Sequence, residues 1–453
     1  MKKILIHSLM LASAGVVIAG PPSGKVSIPV APTLPANPLS FFDGKLTFDI
    51  EEKMRAEVRE NNFDFNSGLN SLTDDSWLLQ RARLGMLYKP TSWLKFYAQG
   101  QDTREFDSDR PNIIGQLGAE GDDTFDLLEG WIELGDLKSG LSLRGGRQKL
   151  SYGDQRLVGP LEWLNPSRTF DALKLRYSGT SYTFDLFTSS VVPFVDDEFN
   201  QSDFINSDSI RDQIFSGAYL STQWIPFNKT TDFYAFHLSE SHAAGDVNFV
   251  TLGTLWKGDP KKLSGWDYTA EMAFQLGTFE DKDLNAFAGH WEVGYNWLSH
   301  AWKPRLALQY NYGTGDKDAA DGDVGTFQNL FPTNHMFYGF MDTTGWANLQ
   351  NPQVNFSITP TAKLKLMLDY HLYWNAQTTD AWYRVNGVTR VRGITPGADT
   401  FRGSELDFTG ICKVNKNLSF QAGYSVYFSG SFLGDTGASD NAHFGYAQVQ
   451  INF

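Results

Sequence analysis

Cysteine is almost missing from this sequence. Cys412 is the single one in 453 residues, so one chain can build neither a disulfide framework nor a thiolate-rich metal site. There is also no internal apolar run of roughly 18 residues, the length a membrane-crossing helix needs. A chain of this kind enters a bilayer with strands or not at all. Basic residues are in deficit: 38 Lys and Arg face 52 Asp and Glu, a formal charge of −14. Nucleic-acid binders carry the opposite imbalance. Neither His-Glu-x-x-His nor Gly-x-Ser-x-Gly occurs, so the sequence supplies no handle for a metalloprotease or a serine hydrolase, and a non-enzymatic role is expected. What is plentiful is aromatic residues, 14% of the chain, and glycine, 42 residues. That mixture suits long β-strands joined by polar loops.

The N-terminus reads as an export signal. Lys2 and Lys3 precede a mostly apolar stretch from Ile4 to Ile18, and Val17-Ile18-Ala19 supplies the small-residue end that precedes cleavage. Residues 1–19 are therefore expected to be a signal peptide. Residues 20–44 hold six prolines (Pro21, Pro22, Pro29, Pro32, Pro35 and Pro38), which predicts an extended linker without a core of its own.

From residue 45 onward the pattern has a period of two. Leu46, Phe48, Ile50, Met54, Ala56 and Val58 share one face, and Asp49, Glu51, Lys53, Arg55, Glu57 and Arg59 share the other. Glu52 breaks the pattern. At the far end Gly445, Ala447, Val449, Ile451 and Phe453 alternate with Tyr446, Gln448, Gln450 and Asn452. We count eighteen such segments, beginning near residues 45, 77, 92, 124, 139, 170, 180, 213, 230, 246, 264, 284, 303, 346, 362, 402, 416 and 440. Short and long connections alternate between them. Many run well past the usual ~5–6 residues of a soluble strand and reach the roughly 9–11 that a tilted transmembrane strand requires. The expected fold is all-β: one transmembrane antiparallel β-barrel of about eighteen strands over 45–453, with both termini periplasmic. Ending on a phenylalanine, Phe453, the last strand resembles those of outer-membrane barrels, which implies that an assembly machinery reads it.

Alternation assigns charges to the lumen. Arg81 and Arg83 oppose Ala82, Leu84 and Met86; Arg144 opposes Leu141 and Leu143; Lys174 and Arg176 oppose Leu173, Leu175 and Tyr177. Glu51, Glu57, Glu129 and Glu133 share that interior. Guanidinium groups stay charged and grip carboxylates bidentately, so such a lumen selects anions. The same residues can equally be cross-lumen ion pairs that brace the wall, and both readings stand at this point.

Residues Gly146-Arg147-Gln148-Lys149-Leu150-Ser151-Tyr152-Gly153-Asp154-Gln155-Arg156-Leu157, followed by Trp163-Leu164-Asn165 and Arg168-Thr169-Phe170-Asp171-Ala172, resemble the signature of the alginate-export family of outer-membrane barrels. Gly315-Asp316, Phe331-Pro332, His335 and Asp380-Ala381-Trp382-Tyr383 fit the same family. The resemblance implies an outer-membrane channel for an anionic polysaccharide, with an arginine-rich constriction to which Arg147, Arg156 and Arg168 would belong. Its expected partners are lipid, the barrel-assembly machinery and an acidic sugar; nucleic acid is not among them. No cofactor is expected, save that Asp316, Asp318, Asp321 and Asp323 form an acidic, glycine-containing stretch able to hold a structural Ca²⁺ through hard oxygens.

Overall fold

The computed structural model describes residues 39–453 except 70–73, 110–120, 136–139, 196–198, 206–211, 242–243, 336 and 388–389. The expected signal peptide and residues 20–38 of the proline-rich linker lie outside the described residues. Eighteen long strands make the wall: β1 (Leu46–Glu60), β2 (Asp75–Tyr88), β3 (Leu94–Phe106), β4 (Asp123–Gly135), β5 (Leu141–Gln148), β6 (Phe170–Ser178), β7 (Tyr182–Val191), β8 (Ile214–Thr222), β9 (Asn228–Glu240), β10 (Val247–Gly258), β11 (Trp266–Phe279), β12 (Lys282–Asn296), β13 (Arg305–Gly313), β14 (Leu349–Thr361), β15 (Leu364–Asn375), β16 (Phe401–Lys413), β17 (Leu418–Ser429) and β18 (Ala442–Asn452). Each starts within three residues of the position expected from periodicity.

Every strand pairs antiparallel with its sequence neighbours, and β18 returns to β1 with Glu51 opposite Asn452 and Glu60 opposite His443. Closure removes both sheet edges, so no row of backbone N–H and C=O groups is left for lipid. The backbones of Phe453 and Ile50 exchange hydrogen bonds of 3.0 and 3.3 Å, which carries the seam to the last residue. Below it Leu39–Phe41 folds back onto β1, with Leu39 opposite Phe48. The linker therefore gains structure at its end, where the sequence promised none.

Outward and inward faces differ as a bilayer requires. Along β1 the odd residues from 53 to 59 are buried toward the lumen. Outward side chains such as Leu84 (53% exposed) and Phe274 (52%) stand open, which in water would be an aggregation hazard and in lipid is the favourable arrangement. No helix among the described residues is long and apolar enough to cross a membrane. Connections at one end run 2–8 residues, whereas at the other end 149–169, 192–213, 314–348 and 376–400 are long. Two of those long loops, 149–169 and 314–348, enter the barrel. They pack Tyr152, Phe331 and Tyr338 against inward aromatics such as Phe187, Phe215 and Tyr219, so the interior is a packed core on that side.

Candidate functional site

β1 and β2 carry the densest set of charges in the lumen. Their cations gather the backbone carbonyls of loop 149–169. Lys53 Nζ donates to Glu162 O at 3.2 Å and Arg55 Nη1 to Trp163 O at 2.6 Å. Arg81 Nη1 donates to Glu162, Leu164 and Asn165 O at 3.2–3.3 Å. The Glu162 carboxylate lies 3.1 Å from Arg81, 2.9 Å from Arg83 and 2.6 Å from Lys149. Burial pushes its pKa up, but Arg83, Lys149 and Arg81 outweigh that and hold it well below the ordinary carboxylate range. Glu51 lies 2.7 Å from Arg81 and 3.4 Å from Arg83, and Glu57 is clamped between Arg55 and Arg59. The Arg55 guanidinium also covers the Trp163 ring at 3.8 Å. This bonded network holds six basic side chains (Lys53, Arg55, Arg59, Arg81, Arg83, Lys149) and three carboxylates (Glu51, Glu57, Glu162). Asp49, bonded by Tyr97 and Gln99, and Glu129, bonded by the Trp131 indole, come next along the wall.

β15 and β16 build a wall of opposite sign. The backbone N–H of Met341 donates to Glu405 at 2.9 Å and that of Phe340 to Asp407 at 3.4 Å, which fastens loop 314–348. Tyr373 OH lies 3.0 Å from Tyr338 O and 3.1 Å from the other Glu405 oxygen, and His371 Nε2 is 3.3 Å from Asp407. The two loops then meet each other. Gly159 N donates to Phe331 O and Phe331 N to Leu157 O, both at 2.8 Å, and the Trp163 ring stacks on His335 with centroids 3.6 Å apart. Arg168 Nη1 adds a clasp, donating to Gly159 O at 3.1 Å and Pro332 O at 2.9 Å; burial brings its pKa down to about 10.

The expected lumen residues therefore separate into several groups. Arg81 and Arg83 join the network around Glu162, a residue that sequence reasoning did not single out. Arg144 pairs with Glu133, which also takes Lys95 at 2.7 Å, and lies over the Trp131 ring at 3.8 Å. Lys174 is on the same rung as Arg144, and Arg176 is paired with Asp185. Arg156, on the inward loop, reaches His290 at 3.0 Å and the Phe337 ring at 4.0 Å, with Glu271 3.7 Å away.

Arg147 is a correction. It lies three residues beyond Arg144 on β5, opposite Asp171, so alternation turns it away from the lumen. There it is bonded to Asp171 at 3.1 and 3.2 Å and to Leu127 O at 3.1 Å, with the Phe199 ring beside it. The preceding Gly146 has φ +120°, and a Cβ there would meet the Gly130 carbonyl at 2.3 Å, so the strand contact demands glycine. The expected calcium site is also not assembled. Asp316, Asp318 and Asp321 accept the N–H groups of Asp318, Ala320 and Asp323, each capping its own turn, while Asp318, Asp321 and Asp323 point to solvent. Among the described residues no group of three or more His, Cys, Asp or Glu is arranged to hold a metal.

The carboxylate wall escaped sequence reasoning although its signal was present: Asp369, His371, Glu405 and Asp407 all fall on the inward face of their strands. Lys53, Arg55 and Arg59 likewise stood on the polar face of β1 without being read as one group.

Comparison with known proteins supports the barrel independently. OccD3 (OpdP) of Pseudomonas aeruginosa superposes with a TM-score of 0.60 at 11% identity, over 94% of this chain and 96% of that one. OccAB4 of Acinetobacter baumannii gives 0.58 at 11% identity, over 90% and 98%. OpdK of P. aeruginosa, solved with vanillate, also gives 0.58 at 11%, over 90% and 98%. At such identities these likenesses speak for the fold. No curated protein sequence matches the chain. The alginate export family model, however, matches residues 45–447. With a closed eighteen-strand wall, an apolar exterior and a charged interior, the chain belongs to the alginate export family and is an outer-membrane β-barrel channel.

Proposed function

We propose that this channel passes anionic solutes, with alginate-like acidic oligosaccharides first among them, along the cation-rich wall of β1 and β2. One observation carries the reading: four arginines and Lys149 face three carboxylates in the network around loop 149–169. Inside a narrow protein-walled passage such an excess is screened less than on an open surface and draws counter-ions. In bilayers, the open pore is expected to prefer chloride over potassium and to be blocked by uronate oligomers. Equal permeability with no block would remove the assignment.

A second reading, uptake of small organic acids, is favoured by the contact between the two inward loops. Gly159, Leu157, Phe331, Trp163 and His335 touch across the lumen, so a polymer needs the loops displaced where a small acid does not. Block by monomeric uronate as strong as block by oligomers distinguishes this reading from the first.

The orientation we infer puts the long loops outside the cell and both termini in the periplasm, after export on the N-terminal signal. Phe453 is outward by alternation and 46% exposed. Phe453→Asp is expected to lower outer-membrane insertion strongly, and Asn452→Asp, which faces the lumen, hardly at all. A lipid-facing Lys or Arg costs about 0–1 kcal/mol near a barrel rim, and Asp costs less, so a loss much larger than the rim value points to recognition by the assembly machinery. Equal insertion of both variants would contradict it.

A further inference from the structure

The lipid-facing side of β1–β3 carries charged and amide groups deeper in the wall than any other described strand does. Glu52, Gln80 and Asp102 point outward, four or more residues in from the ends of their strands. On the other described strands every outward Asp, Glu, Asn, Gln, Lys, Arg or His falls within three residues of an end. The register brings the polar groups together. Glu52, Ala82 and Asp102 form one row across the three strands, and Met54, Gln80 and Arg104 form the next. Gln80 Nε2 donates to Glu52 Oε1 at 2.8 Å, and Arg104 grips Asp102 with bonds of 2.9 and 2.7 Å. Asp122, at the mouth of β4, stands 3.6 Å from Arg104.

Apolar rows enclose the group on both sides: Ile50 with Leu84 and Gly100 on one, Ala56 with Leu78 and Phe106 on the other. Arg104 and Asp102 remain about one-third exposed, at 32% and 33%. Facing acyl chains, charged and amide groups with open surface are costly. Against another protein surface of matching polarity the same groups gain partners.

The chemistry of the patch says which surface that is. Arg104, the one guanidinium of the patch, already faces Asp102 and Asp122, so a lipid phosphate meets no unengaged cation. Donors (Arg104, the Gln80 amide) and acceptors (Glu52, Asp102) lie side by side, so the patch complements itself across a two-fold axis: each copy's Arg104 can face the Asp102 and Glu52 of the other. Ala82, Ala56 and Ala98 on the same face keep the surface low and permit close approach of two walls. A closed two-fold pair is the commonest symmetry for a self-complementary patch. We propose that two copies of this chain pack side by side in the membrane through the outward faces of β1, β2 and β3.

Cysteine cross-linking in intact outer membranes tests this. Cys412 is outward on β16, so the background is Cys412→Ser, which leaves no native thiol. Ala82→Cys in that background is expected to give, on oxidation, a band of twice the monomer mass in most of the inserted protein. Ala270→Cys, outward on β11 at the opposite side of the barrel, is expected to give at least tenfold less. Adding Asp102→Asn and Arg104→Gln to the Ala82→Cys variant is expected to cut the cross-linked fraction several-fold while heat-modifiable migration shows the barrel still closed. Equal cross-linking at 82 and 270 would mean random collision and overturn the proposal. So would a monomeric Ala82→Cys protein, or its cross-linking to a product of another mass, which would assign the face to a different partner.

Discussion

Two walls of this barrel solve one problem with opposite chemistry. On β1 and β2, cations collect the carbonyl oxygens of an inward loop at Glu162, Trp163, Leu164 and Asn165. On β15 and β16, carboxylates collect the N–H groups of the other inward loop at Phe340 and Met341. A peptide unit has a negative and a positive end, and each wall binds the end its charge suits. The difference lies in what else each wall holds. The basic wall also takes an acidic side chain, Glu162, from its loop. The acidic wall takes no acidic side chain from its loop: beside its carboxylates stand His371 and tyrosine hydroxyls, and Arg402 on β16 donates to Thr344 Oγ1 at 2.9 Å and to the Asn348 carbonyl. Side-chain ion pairs and backbone bonds together fasten loop 149–169, whereas loop 314–348 rests on its wall chiefly through backbone bonds. Arg59 joins the two systems, bonded to Glu57 on its own strand and to the Met341 carbonyl of the second loop at 3.2 Å.

Breaking the basic wall is expected to give the largest effect. Arg81→Gln with Arg83→Gln removes two cations and leaves Glu51 and Glu162 short of partners. Glu51 is largely buried, whereas Glu162 is 40% exposed and water offsets part of its loss; with the three Arg81 bonds to loop carbonyls gone as well, loop 149–169 is loosened toward the long-loop end. Single-channel conductance should rise, and the reversal potential should move toward cations with a permeability ratio altered by about tenfold. Unchanged conductance and selectivity would mean that neither wall charge nor loop position governs passage.

The acidic wall should respond less, and in the other direction. Glu405→Gln with Asp407→Asn keeps a carbonyl acceptor for Met341 and Phe340 but removes the charge. A hydrogen bond to a charged group contributes about 1.5–3 kcal/mol and a neutral one about 1 kcal/mol, so loop 314–348 is loosened and not freed. Selectivity should shift toward anions by about threefold, with only a small change in conductance. If this variant matched the arginine variant in size, the asymmetry between the walls would be wrong.

The unequal legibility of these features in the sequence follows from distance along the chain. Period-two alternation is local, and it placed the start of each strand, the outward Phe453 and the inward Arg81, Arg83, Arg144, Lys174 and Arg176. Where a loop lands is not local. Glu162 sits in a stretch without periodicity, and its partners Arg81 and Arg83 are some eighty residues away. Arg147 looked like part of the inward loop because its motif continues into it, yet β5 runs on to Gln148 and alternation still governs its side chain. Glu405 and Asp407 were on the correct face, but nothing in their own segment announces that two N–H groups from residues 340 and 341 will meet them.

Glu162 allows the smallest and sharpest test of the comparison, because it is the one loop carboxylate on which the basic wall closes. Its pKa is held well below the ordinary range by Arg83, Lys149 and Arg81 despite the opposing effect of burial. A depressed carboxylate stabilises its attachment fully above the ordinary value of about 4.3. That contribution is lost only as the pH falls through the depressed value. Conductance that depends on loop 149–169 should therefore stay flat between pH 7 and 5, then rise in strongly acidic solution as Glu162 takes up a proton. Glu162→Gln is neutral at every pH and keeps the side-chain shape and the backbone carbonyl that Lys53 and Arg81 hold. It should reproduce at pH 7 part of the rise that the native chain shows only in acid, by roughly twofold or less in conductance, since the carbonyl bonds persist. A native channel that changed between pH 7 and 5 while the glutamine variant did not would show that Glu162 is held less firmly than its three cations imply. A variant that still rose in acid as the native chain does would move the acid response to other carboxylates of the lumen, with the wall of Glu405 and Asp407 the nearest set tied to a loop.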